Sequence, residues 1–93
     1  MKIKIIARSD RDVFVGTEPD GSFCVLSLTH NGEIEIKDVL EGNFDASDGV
    51  FKSVRNITRN QEVHICAENW SCSKKVAFEA LHRINRPTKI FAL

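Results

Sequence analysis

Over residues 1–72, clusters of turn-forming residues divide the chain into short apolar runs, and this punctuation restricts those runs to strands. Ser9-Asp10-Arg11 ends the first run and Pro19-Asp20-Gly21 the second. The Pro-Asp-Gly signal has a mechanism: proline presets the negative φ of a turn's second position, and glycine accepts the positive φ that follows. Asn31-Gly32 is the strongest hairpin signal, because a two-residue loop matching strand twist needs positive φ at both central positions. It predicts that Phe23–Leu28 pairs directly with residues 34–39. Residues 42–49 read as a loop, and 58–61 joins strands expected over 50–57 and 62–67. In the first run Ile3, Ile5 and Ala7 alternate with Lys2, Lys4 and Arg8, the period of a half-buried strand, although Ile6 interrupts the polar face.

Residues 73–85 change period. Val76, Ala77, Ala80, Leu81 and Ile84 recur at spacings of one, three or four, which places them on one face of a helix. Lys74, Lys75, Glu79, His82 and Arg83 take the wet side. Ser71 or Ser73 can cap the first-turn amides, and Asn85-Arg86-Pro87 supplies a stop. The tail, residues 86–93, ends in Ile90-Phe91-Ala92-Leu93, too apolar for a free end, and is expected to dock as an edge strand.

Five to six short strands must hide their edges, and a small, partly closed antiparallel barrel does so most economically. The expected fold is therefore mainly β (α+β), one OB-like or SH3-like barrel domain over residues 1–93 with a single C-terminal helix. The stretch from Gly32 through Ile34, Ile36 and Val39 to Gly42 resembles the strand, turn and glycine pattern of such barrels, at the level of fold alone. Ile5, Val25, Ile65, Val76, Ala80 and Leu81 are expected to share one core.

A chain of 93 residues holds a small core, burying roughly 60–65% of the surface its unfolded state exposes. A deep enclosed catalytic pocket is not expected. Arg8 ends the N-terminal apolar stretch short of signal-peptide length and no run approaches a membrane span, so the reading is a cytoplasmic protein without a membrane partner. Thirteen basic residues balance thirteen acidic ones, but unevenly along the chain. Residues 12–48 carry nine acids against Lys37 alone, whereas residues 49–93 carry eight basic residues against three acids. Either the molecule is an electric dipole or the segments neutralise one another in space.

The basic second half makes nucleic acid or another polyanion the leading ligand class for a non-catalytic binding module. Lys52, Arg55, Arg59, Lys74 and Lys75 would carry it, with Trp70 as a recognition anchor or as a cap on the barrel. A homo-oligomeric or protein–protein interaction module is the alternative. Phe14, Phe44 and Phe51 suit a stacking platform, although phenylalanine in a small barrel is ordinarily core. His64, Cys66, Cys72 and His82 are the nearest approach to a metal-ligand set, but no short turn aims two of them at one ion, so no metal is expected. Cys66 and Cys72 become a candidate redox pair if residues 67–71 turn back on themselves. His30, before a turn, is expected to face solvent. Residues 43–49 match a calcium loop only superficially, since Val54 stands where a bidentate acid belongs. With no phosphate-cradling loop, nucleophile elbow or paired-histidine helix, neither a catalytic residue nor a cofactor is indicated.

Overall fold

The alternating N-terminal run forms strand β1 (Lys2–Ser9), and both of its edges are occupied in the computed structural model, which describes residues 1–30, 32–43, 50–84 and 86–93. One edge pairs with β2 (Val13–Thr17), and the other first with β4 (Val39–Glu41) and then with the tail strand β7 (Ile90–Ala92). Strands β3 (Phe23–Leu28), β6 (Gln61–Cys72) and β5 (Val50–Asn56) complete the circuit β1-β2-β3-β6-β5-β4-β1, antiparallel at every step. The result is a closed six-stranded barrel with β7 as an extra strand and one helix, α1 (Lys74–Arg83), near the C-terminus. The small antiparallel barrel read from the sequence is thus the fold, with its ring fully closed. Among the described residues no helix is long and apolar enough to cross a membrane.

The irregularity at Ile6 has a structural cause. The β1–β2 register shifts between Ile5 and Ala7, and such a bulge reverses which face the following side chains occupy. Ile3 and Ile5 consequently enter the barrel lumen with Phe14, Leu26, Leu40 and Ile65, whereas Ala7 joins Val13, Val15 and Val25 on the outside. Helix α1 covers that outer layer with Ala77, Ala80 and Leu81. The unbroken apolar runs Val13-Phe14-Val15 and Cys24-Val25-Leu26 follow from burial on both faces, lumen on one side and helix on the other. The single core expected from the sequence is therefore two: Ile5 and Ile65 lie in the lumen, Val25, Ala80 and Leu81 under the helix. Val76 belongs to neither and is 39% exposed. Gly16 lies against the Ile3 side chain, with which an added Cβ would collide.

The hairpin expected at Asn31-Gly32 does not form. Both edges of β3 are taken, by β2 and β6, so residues 34–38 have no edge of β3 to join. They cross instead to β4, inserting Ile34 into the lumen, and turn where Asp38 N donates to Glu35 O at 3.1 Å. Asn31 itself lies outside the described residues, as does most of the expected 42–49 loop, including Phe44 and the calcium-like segment beyond Asn43. Strand β6 overruns its expected end at residue 67 by five positions, to Cys72.

The helix begins where expected, with Ser73 Oγ accepting from Val76 N at 3.2 Å, and closes at Ile84. The tail docks as an edge strand, its Leu93 N donating to Ile6 O at 2.9 Å and its Thr88 N to Asp10 Oδ1 at 3.1 Å.

Candidate functional site

Helix α1 packs on β2, β3 and β6 and shares a cluster with Ala7 of β1, but among the described residues no helix covers the wall made by β5 and the first half of β6. In the β5–β6 ladder Phe51 stands opposite Cys66, Ser53 opposite His64, and Arg55 opposite Glu62. Val54 and Asn56 have the other parity and are buried. Phe51, Ser53 and Arg55 are thereby exposed together on the outside, and Phe51 is 71% exposed where Phe14, facing the lumen, is 1%. Parity alone carried this signal, because Phe51 keeps step with Ser53 and Arg55 rather than with the valines.

A concavity of about 270 Å³ opens on this wall, lined by Thr29, His30, Phe51, Lys52, Ser53, His64 and Ile65. Thr29 follows the end of β3, where its N donates to His64 O at 2.9 Å and its Oγ1 donates to the same oxygen at 3.0 Å. His30 Nδ1 lies 3.1 Å from Thr29 Oγ1, and Ser53 Oγ lies 2.8 Å from His64 Nδ1. The two imidazoles face each other with centroids 5.1 Å apart, tilted by 59°. Glu62 Oε1 stands 3.7 Å from His64 Nε2, an ion pair only when the ring is protonated. Lys52 Nζ donates to Asn43 O at 2.8 Å. His30, Thr29 and Ser53 carry no sequence signal of their own; a strand register brings them to His64.

The basic residues grouped by the sequence divide among different surroundings. Arg55 shares the outward face of Phe51 and Ser53, and its Nη2 reaches Asn60 Oδ1, whereas Lys52 has the parity of Val54 and lines the concavity with its ammonium bound to Asn43 O. Arg59, in the turn after β5, is engaged by acids: its Nε donates to Asp38 Oδ2 at 2.7 Å and its Nη1 lies 3.2 Å from Glu33 Oε1. Lys74 and Lys75 stand exposed on the first turn of α1, which packs on β2, β3 and β6 rather than beside the concavity. Trp70 is half-buried and packs against the lumen cluster, the capping position.

The thiols are dispersed. Residues 67–71 are strand rather than turn, so Cys66 and Cys72 lie six positions apart on β6, roughly 15–20 Å along an extended chain. A disulfide needs Cα atoms within about 7 Å, and none of the three cysteines is in one. Burial, with help from Glu18, pushes the Cys24 thiol up to about 12, and burial followed by Glu68 raises that of Cys66, the opposite of what a nucleophilic thiol needs. Cys72 Sγ donates to Phe23 O at 3.2 Å. His82 is exposed on α1, remote in sequence and element from His64, and among the described residues no three His, Cys, Asp or Glu side chains form a group that could hold a metal ion.

Comparison with protein-family models, with curated proteins and with solved structures finds no match to this chain.

Proposed function

We propose that the protein binds single-stranded nucleic acid across the open wall of β5 and β6. The observation that carries this reading is Phe51, an exposed ring set in one concavity with two imidazoles. A lone exposed phenylalanine signifies little. One that shares its face with Arg55, beside Lys52 in the chain, matches what sequence-tolerant binders combine, an aromatic face on which a base stacks and cations that track the backbone. Arg59 is left out of the binding set, because Asp38 and Glu33 neutralise it in place. Lys74 and Lys75 contribute long-range attraction rather than contact.

Fluorescence anisotropy with labelled single-stranded RNA and DNA at low salt tests the reading. Base stacking is worth about 1–3 kcal/mol per base by alanine substitution, so Phe51→Ala should weaken binding about tenfold. Lys52→Glu and Arg55→Glu should weaken it and flatten its salt dependence. Lys74→Glu and Lys75→Glu should change it little. Absence of binding up to roughly 100 μM, the weak end of non-specific affinity, would overturn the proposal. Binding indifferent to Phe51→Ala would do the same, and would favour protein association through the exposed edge of β7 instead.

A further inference from the structure

The open wall holds more than a binder requires. Two imidazoles border one small concavity beside an exposed ring, and different hydrogen bonds hold them. Thr29 has a single hydroxyl proton, and it is donated to His64 O at 3.0 Å. Thr29 Oγ1 must then accept from His30, which places the proton of that neutral ring on Nδ1 and leaves a bare lone pair on Nε2. His64 is oriented the other way. Its Nδ1 lies 2.8 Å from Ser53 Oγ and its Nε2 is turned toward the Glu62 carboxylate; at 3.7 Å that carboxylate is too far for a hydrogen bond, so Nε2 stays open to an incoming oxygen. One ring offers a base and its neighbour an acid, with centres 5.1 Å apart.

We propose that this concavity cleaves RNA by metal-independent transphosphorylation, with His30 as general base and His64 as general acid. The inference rests on the single-strand binding reading, which delivers the strand to the wall. A ribose 2′-hydroxyl gives its proton to His30 Nε2 while its oxygen attacks the adjacent phosphorus. The bond from phosphorus to the 5′-oxygen breaks, its electron pair stays on that oxygen, and the proton of His64 Nε2, from the imidazolium form, neutralises it. The products are a 2′,3′-cyclic phosphate and a 5′-hydroxyl. One proton is gained by His30 and one lost by His64, and exchange with water resets both rings. Phe51 would stack the neighbouring base. Ser53, His64 and Glu62 also resemble a hydrolase triad in type, but the wide gap to Glu62 assigns Ser53 to orienting the ring rather than to attack.

The test uses single-stranded RNA, its DNA equivalent, and RNA with one 2′-deoxy position, all in excess EDTA, with single-turnover rates at saturating protein so that altered affinity cancels. RNA should yield 2′,3′-cyclic phosphate ends, and the DNA should be bound but left whole. The single 2′-deoxy position should block cutting at its own linkage. His30→Ala and His64→Ala should each slow cleavage about a hundredfold. RNA bound but left intact would overturn the proposal while leaving the binding reading in place, and so would cleavage undiminished in both histidine variants. Binding of neither RNA nor DNA would defeat the binding reading and this one together.

Discussion

Asp38 is 3% exposed, and its Oδ2 accepts from Glu35 N at 2.9 Å, from Asn56 Nδ2 at 2.9 Å and from Arg59 Nε at 2.7 Å. Burial pushes its carboxyl up, but the hydrogen bonds from Asn56, Glu35 and Arg59 together outweigh burial and hold it below the usual aspartate range. A depressed folded value means stability that is complete above the unfolded value and lost as pH falls through the folded one. Chemical denaturation should therefore show wild type losing stability below about pH 4, with a shallower acid slope in Asp38→Ala. At neutral pH that substitution should cost about 2–3 kcal/mol, since it leaves Asn56 and Arg59 without their acceptor. None of this network is legible in the sequence, where Asp38 counts only as one acid in an acidic segment. Its partners lie 18 and 21 positions away, and Arg59, read as a ligand contact, is engaged by Asp38 of the same chain.

At the scale of elements, local pattern succeeded where it had no competitor and failed where a neighbour held the edge. The period of α1 and its Ser73 cap depend on contacts within one or two turns, and both formed. Periodicity cannot tell the centre of an apolar stripe from its margin, however, and Val76 falls at the margin because the small Ala77 and Ala80 seat the helix against the sheet. Urea denaturation should separate them: Leu81→Ala should cost about 2–4 kcal/mol, and Val76→Ala less than about 0.5 kcal/mol. Asn31-Gly32 failed for the opposite reason, since a turn signal cannot report that β2 and β6 already flank β3. Strand β6 outran its expected end because its pairing with β3 continues through two register shifts, at Val25/Leu26 and Phe23/Val25, which period-two reasoning treats as an ending.

Across the whole molecule, the uneven charge along the chain is largely mixed in space. Arg8 pairs with Glu35 at 2.8 Å, and Arg59 with Asp38 and Glu33, so the acidic crossover lies against basic residues from both ends of the sequence. What distinguishes the two sides of the barrel is cover rather than net charge: α1 seals one wall, and the other presents Phe51, Ser53, Arg55 and the imidazoles of His30 and His64. The candidate site was legible only in part, through Arg55, Lys52 and the stacking candidate Phe51, because strand register and barrel closure are long-range properties. Titration of isotope-labelled protein with a short single-stranded RNA, followed by amide NMR shifts, tests the central claim most directly. The account predicts that the largest changes fall on residues 29–30, 51–55 and 62–66, with α1 and β2 nearly unmoved. Shifts concentrated instead at Lys74 and Lys75, or on β7, or none at all at saturating RNA, would contradict it.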